Sequence, residues 1–254
     1  MPGLPPDTER VFRVFATVPE LSAFVLVGGT AMAMQCRHRL SEDLDFWLAS
    51  GTLRDSMIRP ALDAARQAGL DVSFTGPASA QRSALRINRG VAEGLQLDDL
   101  MRDYAVGGVK VQFFVASEQE RAAFAPFAAD SQPRISPEHV QTAFRIMPLD
   151  GLFAMKAHTI QRRHRSRDVL DLWHFVRAGR TIGEIVQAAQ RVSTTATAER
   201  AIAVLRGDRP LDAHDEGFHS LSPETTLDQI RADFCAWTDI YEQERAYAAA
   251  RIRG

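Results

Sequence analysis

The 254-residue sequence predicts an α/β (α+β) fold, in which a mixed sheet with flanking helices is followed by a helical second half. Short apolar, β-branched runs alternate with helix-like segments up to about residue 130, whereas helical periodicity dominates from about residue 148. Residues 131–137 carry two prolines and two serines, as a connecting segment would. We therefore expect a first domain over residues 1–130 and a helical domain over 131–254.

The first half begins with a helix, because an Asp-Thr cap and an apolar stripe lie within about residues 7–18. Phe24–Val27 is short, apolar and followed by two glycines, as a buried strand would be. An Ala- and Met-rich stretch then predicts a helix at Ala31–Arg39, and a second apolar run predicts a strand at Asp43–Ala49.

Helical periodicity continues over Arg54–Ala68 and stops at Gly69, a position typical of a helix C-cap. Three further strands are predicted, at Asp71–Thr75, Ser83–Asn88 and Val109–Val115. The last of these is the clearest, since it is rich in β-branched and aromatic residues and follows two glycines.

The second half is predicted to be all helical. Pro148 is suited to the first turn of a helix, which predicts a helix over Leu149–Arg163. Apolar periodicity predicts the remaining helices at Asp168–Val176, Ile182–Val192, Ala196–Leu205 and Leu227–Ala250.

Composition argues against several classes of protein. The formal net charge is only −2, so total charge does not indicate a nucleic-acid binder. No apolar run approaches the roughly 20 residues that span a bilayer, and the N-terminus does not resemble a signal peptide. Cys36 and Cys235 are far apart, which argues against a disulfide framework or a zinc site. We expect a cytoplasmic protein without a membrane association.

The segment Val25–Leu48 carries the strongest functional pattern. Glycines between a strand and a helix, here Gly28 and Gly29, are typical of a phosphate-binding turn. Asp43 and Asp45 are spaced to project from the same side of a strand, where their mutual repulsion favours a bound hard cation such as Mg²⁺. Each feature alone is more often a plain turn or a solvated face, but the combination predicts a nucleotide site.

The amino-acid sequence of this segment resembles that of a known family. G-G-T followed by H-R-L-S-E-D-L-D-F looks like the nucleotidyltransferases of the DNA polymerase β superfamily, and more narrowly like the AbiEii/AbiGii-type nucleotidyltransferase toxins of toxin–antitoxin and phage-defence systems. Arg39, Ser41 and Glu42 carry the narrower resemblance. A second segment, Lys156 followed by R-D-V-L-D-L at residues 167–172, is similar to the later motifs of the family.

The resemblance implies a Mg²⁺-dependent enzyme that transfers a nucleoside monophosphate from an NTP to a hydroxyl. The implied acceptor is an RNA, with the end of a tRNA as one candidate, or a protein. A cognate antitoxin is also implied. The implied site residues are Asp43 and Asp45 for the metal, Gly28, Gly29, Thr30, Arg39, Ser41 and Lys156 for the nucleotide, and Asp168 to orient or activate.

One position departs from the superfamily pattern. Many members carry a third carboxylate on a later strand as the base, whereas this chain has Gln112 there, which cannot accept a proton at neutral pH. Either Asp168 or Asp171 takes that role, or the base is dispensable, or this copy is impaired. Three nearby carboxylates are interpreted as part of a solvated turn: Asp98, Asp99 and Asp103.

Two other functions stay open at this point. A catalytically inactive nucleotide-binding or antitoxin-binding protein is compatible with Gln112. A small-molecule modifier of the aminoglycoside nucleotidyltransferase kind would need an acidic pocket for its cationic acceptor. The basic run from Lys156 to Arg167 favours an anionic acceptor instead, with a solvated helix surface as the alternative interpretation of that run.

Overall fold

The computed structural model describes residues 1, 3–76, 97–129, 134–135, 140–213, 215–222 and 225–253. The chain forms two compact units, Met1–Leu152 and Phe153–Gly254. The first contains a mixed sheet and helices, and the described part of the second is helical, which confirms the predicted α/β fold class. The domain boundary expected after residue 130 stays a prediction.

The strands all belong to the first unit. They are β1 (Phe24–Val27), β2 (Leu44–Leu48), β3 (Val72–Phe74), β4 (Met101–Val106), β5 (Val109–Val115), β6 (Arg134–Ile135), β7 (Val140–Gln141) and β8 (Arg145–Ile146). The main sheet has the order β3-β4-β5-β2-β1-β8, and β6 pairs with β7 in a separate ribbon. Strand β2 is central, because it pairs in parallel with β5 and antiparallel with β1.

Helices flank the strands in the first unit and make up the regular structure of the second. They are α1 (Pro6–Ala16), α2 (Gly28–Cys36), α3 (Asp55–Gln67), α4 (Glu118–Ala129), α5 (Leu149–Thr159), α6 (Ser166–Arg177), α7 (Ile182–Val192), α8 (Ala198–Arg206) and α9 (Leu227–Arg253). No helix in the described ranges is both long and apolar enough to cross a membrane.

An aromatic cluster forms the core on one face of the sheet. Phe46 of β2 stacks on Phe113 of β5, with ring centroids 5.1 Å apart, and Phe24 and Phe15 complete the contact. These rings are fully buried. Because side chains alternate along a strand, the neighbours of Phe46 and Phe113 project from the opposite face of the sheet. That alternation places Asp45 on the face away from the aromatic core.

Several predicted boundaries agree with the structure. The strands predicted at Phe24–Val27 and Val109–Val115 and the helix predicted at Ile182–Val192 have the observed bounds. The helix expected to reach Arg163 ends earlier, at Thr159. The strand predicted at Ser83–Asn88 lies outside the described residues.

Two local expectations were wrong, and one helix was not predicted. The predicted glycine turn before α2 is the first turn of that helix, which begins at Gly28. No helix was predicted over Glu118–Ala129, where α4 forms with Pro126 inside the helix. Asp103 does not lie in a solvated turn: it is a residue of β4 and its side chain is fully buried.

Candidate functional site

The first feature of the site is the contact between the start of α2 and β2. Gly28 has φ +74°, and a Cβ placed there would lie 2.3 Å from Asp45 Oδ2. Only glycine combines this backbone conformation with so close an approach. The first N–H groups of α2 have no partner within the helix. The sequence thus places a carboxylate beside the N-terminal turn of a helix.

A buried hydroxyl network supports this turn. The Thr30 hydroxyl lies 3.0 Å from Ser41 Oγ and donates to the backbone carbonyl of Asp43. A Cβ on Gly29 would lie 2.3 Å from Arg39 Nη2 and 2.8 Å from Ser41 Oγ, so the Arg39 side chain packs directly against the glycine. Thr30, Arg39 and Ser41 are all buried. Their side chains therefore brace the turn, and their direct contact with a nucleotide stays a prediction.

The two carboxylates of the Asp-x-Asp pair are half-buried, whereas their neighbour Leu44 is fully buried. The described residues contain no group of three or more His, Cys, Asp or Glu side chains able to hold a metal ion. A carboxylate beside the start of a helix, with a second carboxylate two residues earlier in the chain, nevertheless fits Mg²⁺, which is typically held by one or two carboxylates together with substrate phosphates and water. Asp43 and Asp45 are the residues that could hold it.

A row of polar side chains crosses the sheet next to Asp45. In register, Asp45 of β2 pairs with Gln112 of β5, and Gln112 pairs with Asp103 of β4. Gln112 Nε2 donates a hydrogen bond of 2.7 Å to Asp103 Oδ1. Both Gln112 and Asp103 are buried. The superfamily pattern has a third carboxylate where this chain has Gln112. Here a carboxylate lies on the adjacent strand instead, at Asp103, and it accepts a hydrogen bond from the Gln112 amide.

The second unit contains a buried cluster of opposite charges. Lys156 Nζ of α5 lies 2.7 Å from Asp168 Oδ1 and 2.5 Å from Asp171 Oδ2, both on α6. Arg163 contacts Asp168 through two nitrogens, Nε at 2.7 Å and Nη2 at 3.1 Å. Two cations and two carboxylates thus compensate each other, as buried charges must. The structure thus brings Lys156, Asp168 and Asp171 of the second motif segment into contact.

Asp168 is ionised over the whole physiological range. Burial raises the pKa of its carboxyl group, but the charges of Arg163 and Lys156 and the hydrogen bond from Arg163 outweigh burial, so the pKa lies far below its usual range. A carboxylate held in this way is a strong acceptor for fixed donors and a weak base for a proton.

Acidic residues line the basic turn between α5 and α6. Arg165 Nε lies 3.9 Å from Asp212 Oδ2, and Arg167 Nη1 lies 3.8 Å from Glu216 Oε2. Asp215 Oδ1 accepts hydrogen bonds from the backbone N–H of Ser166 at 2.9 Å and from its hydroxyl at 3.1 Å. Carboxylates of the chain itself therefore pair with part of the basic run between Lys156 and Arg167.

Sequence reasoning missed two residues with clear structural roles, Asp103 and Asp215. For Asp103, the sequence does contain such a signal. A two-residue Gly107-Gly108 connection between two strands sets the register of a hairpin, and that register places residue 103 opposite Gln112. No comparable signal exists for Asp215, because its partner Ser166 is 49 residues away in the chain.

Two solved structures from Helicobacter pylori share this fold. JHP933 from Helicobacter pylori is 13% identical, with a TM-score of 0.51 over 98% of this chain and 97% of that one. A second Helicobacter pylori protein, whose nucleotidyltransferase assignment is provisional, is 15% identical, with a TM-score of 0.52 over 94% of each chain. MenT4, a nucleotidyltransferase toxin from Mycobacterium tuberculosis H37Rv, is 17% identical, with a TM-score of 0.48 over 96% of this chain and 86% of that one.

A comparison with curated proteins found no match. A family model for the nucleotidyl transferase AbiEii toxin of type IV toxin–antitoxin systems matches residues 10–238, which is most of the chain and includes both groups of predicted site residues. The match agrees with the resemblance carried by the Gly28–Asp45 segment and by the segment from Lys156 to Asp171. The chain therefore belongs to the AbiEii family of nucleotidyltransferase toxins.

Proposed function

We propose that this nucleotidyltransferase uses Mg²⁺ to transfer a nucleoside monophosphate from an NTP to a hydroxyl of an RNA, with release of pyrophosphate. The observation that carries the proposal is the contact between Gly28 and Asp45, which brings together a helix N-terminus, where an anion is favoured, and a carboxylate, which suits a cation. An NTP with its bound metal ion carries negative charge on its phosphates, which suits the start of α2, and positive charge on the metal, which suits the Asp45 carboxylate. Membership of a toxin–antitoxin family further implies a cognate antitoxin.

The start of α2 supports triphosphate binding. Its first N–H groups, which have no partner within the helix, and the helix dipole favour an anion. The absence of a side chain at Gly28 and Gly29 leaves room for the Asp45 carboxylate and the Arg39 guanidinium beside this turn. The buried Thr30–Ser41 contact holds the turn in place, so little reorganisation is needed when the nucleotide binds.

Asp43 and Asp45 would hold the metal from the side of β2. When bound, Mg²⁺ neutralises charge that develops on the phosphate oxygens during the transfer. Both residues are half-buried, which leaves them reachable. The sheet fixes the backbone of Asp45, which pairs with β1 and β5, whereas Asp43 lies just before β2, and its carbonyl accepts from the Thr30 hydroxyl. Loss of either negative charge is expected to weaken binding of the metal and thereby of the nucleotide.

Asp168 is assigned an orienting role in preference to that of a base. Its lowered pKa makes it a poor proton acceptor, whereas its contacts fix Lys156 and Arg163. Lys156 is proposed to contribute positive charge toward phosphate, as the family resemblance implies.

The experiment is label transfer from each of the four α-³²P-labelled NTPs, in Mg²⁺, to separate pools of tRNA, other RNA, protein and aminoglycosides. The wild-type chain is expected to label an RNA pool, and chelation of Mg²⁺ is expected to abolish labelling. Asp45→Asn removes one charge at nearly constant shape and is expected to abolish transfer. The matched control is Asp63→Asn on α3, since Asp63 is half-exposed and pairs only with a surface arginine in the described structure.

The outcomes distinguish the alternatives. Labelling of protein alone would replace the RNA acceptor by a protein. Transfer to an aminoglycoside alone would indicate a small-molecule modifier. Binding of NTP without transfer to any acceptor would indicate a catalytically inactive nucleotide-binding protein. Undiminished transfer by Asp45→Asn would contradict the assigned metal site.

A further inference from the structure

The segment Ser41–Asp43 leads into β2 and has no regular secondary structure of its own. Asp43 lies one residue before β2, outside the residues that the sheet pairs. Its position therefore depends on hydrogen bonds between the segment and other parts of the chain. One of these comes from the first turn of α2, because the Thr30 hydroxyl donates to the Asp43 carbonyl.

Two more hydrogen bonds come from residues 3–8, which lie outside every motif identified in the sequence. The Ser41 N–H donates to the Gly3 carbonyl at 3.0 Å. The Thr8 hydroxyl, in the first turn of α1, donates at 3.0 Å to the Glu42 carbonyl, 34 residues along the chain. Each residue of the segment thus has one backbone group held by another part of the first unit.

Thr8 is held in place by the helix that carries it. Its exposed fraction is 1%, and Phe12 and Phe15 of the same helix are fully buried, the latter in contact with the aromatic cluster. Glu42, by contrast, is an exposed residue. The Thr8 hydroxyl therefore anchors an exposed connecting segment to a helix that is fixed by core packing.

We propose that Thr8 is a positioning residue of the transfer site, whose hydroxyl fixes the Glu42 carbonyl and thereby the backbone that carries Asp43. The inference rests on the proposed metal-dependent transferase. Thr8 acts through the backbone and does not itself touch the nucleotide or the cation. A carboxylate on a fixed backbone binds a cation more tightly than one that samples several positions, so loss of the hydroxyl should reduce cation affinity.

The test measures Mn²⁺ binding by electron paramagnetic resonance, in the presence of a non-hydrolysable NTP analogue. Thr8→Val replaces the hydroxyl by a methyl group at nearly constant shape, and it is expected to weaken Mn²⁺ binding by roughly tenfold, as loss of a group that supports a metal ligand does. Thr8→Ser keeps the hydroxyl and is expected to bind as the wild type does. Equal weakening in both variants would overturn the role of the hydroxyl.

Thr238→Val is the matched control for a loss of stability. Thr238 is 0% exposed and lies on α9 in the second unit, where its hydroxyl donates to the Phe234 carbonyl of the same helix at 2.6 Å. This variant is expected to lower the melting temperature and to leave Mn²⁺ affinity unchanged. Weakening of Mn²⁺ binding as large as that in Thr8→Val would make general destabilisation the cause and overturn the inference.

Hydrogen exchange gives a readout that needs no metal. In the metal-free chain, the amides of residues 41–43 are expected to exchange faster in Thr8→Val than in the wild type. Thr17→Val is the control, because Thr17 is exposed and its hydroxyl donates to the Val14 carbonyl within the same stretch of chain at 2.9 Å. Unchanged exchange in Thr8→Val would overturn the inference, and so would faster exchange combined with wild-type Mn²⁺ affinity.

Asp45→Asn separates failure of this inference from failure of the proposed function. If Asp45→Asn loses Mn²⁺ while Thr8→Val binds as the wild type does, the inference is overturned and the metal site stands. If Asp45→Asn also binds as the wild type does, both are overturned. If Thr8→Val does not fold, Thr8→Ala removes the hydroxyl without placing a methyl group against the carbonyl, and the same two measurements decide the inference in that variant.

Discussion

The Asp45 carboxylate lies directly against Gly28, so that a Cβ on Gly28 would be 2.3 Å from Asp45 Oδ2. The contact joins residues 17 positions apart through strand β1, helix α2 and strand β2, since Val27 pairs with Asp45 in the sheet. Any side chain at position 28 must displace the carboxylate or shift the first turn of α2. Gly28 is thus needed both for the backbone conformation at this position and for the placement of the Asp45 carboxylate.

Gly28→Ala is expected to reduce nucleotide transfer by roughly a hundredfold, because it displaces a group at the reacting centre. It also places alanine at φ +74°, which costs about 1–2 kcal/mol of unfolding free energy. The matched control is Gly51→Ala, with φ +88° and no neighbour within 4 Å of the added Cβ. Label transfer and urea unfolding of both variants check the prediction. Equal transfer by the two variants would contradict a role for the Asp45 contact.

Arg163→Gln is expected to make the stability of the chain less dependent on acid pH. Asp168 has a lower pKa folded than unfolded, so it stabilises the fold above the unfolded value of about 3.9 and loses that contribution as pH falls. Removing Arg163 takes away the largest group that lowers this pKa. The variant should lose about 2 kcal/mol of unfolding free energy at pH 7, and this deficit should narrow only where the pH falls through the raised folded-state pKa of Asp168 in the variant, because the unfolded state titrates identically in both proteins.

Urea unfolding from pH 7 to pH 3 measures this difference. The control variant is Arg66→Gln, whose partner Asp63 is half-exposed, and it should change stability little at any pH. A deficit of Arg163→Gln at pH 7 no larger than that of Arg66→Gln would contradict a stabilising contact between Arg163 and Asp168.

Lys156→Met is expected to lower transfer by roughly a hundredfold, as loss of a charge that stabilises a transition state would. It should also destabilise the fold, because Asp168 and Asp171 lose a buried counter-ion. The two effects are separated by measuring transfer per folded molecule well below the melting temperature. Normal transfer by the folded fraction would make Lys156 purely structural.

Asp215→Ala is expected to destabilise the chain by about 1 kcal/mol, the usual effect of losing a helix cap. Ser166 begins α6, and Asp215 Oδ1 accepts from its N–H in place of a capping side chain on the residue before it. Asp208→Ala, an exposed acid a few residues earlier, is the control. Hydrogen exchange at the start of α6 should be faster only in Asp215→Ala. Unchanged exchange in that variant would show that Asp215 does not cap α6.

Much of the fold was predictable because its signals are local. Two glycines mark the end of β1, and β-branched and aromatic residues mark β5, so the predicted bounds of both strands were correct. Strand β4 was missed because Arg102 and Asp103 interrupt its apolar pattern. A buried aspartate is indistinguishable from a solvated one until its partner is known.

The sequence by itself determined the fold class, the family and the segment from Gly28 to Asp45, in which strand, helix and strand are continuous in the chain. The tertiary structure decided which polar groups meet across longer distances. Asp103 reaches Gln112 through sheet register, and Asp215 reaches Ser166 across 49 residues. Such contacts depend on where whole elements pack, and packing is set by the summed burial of many side chains that no short motif contains.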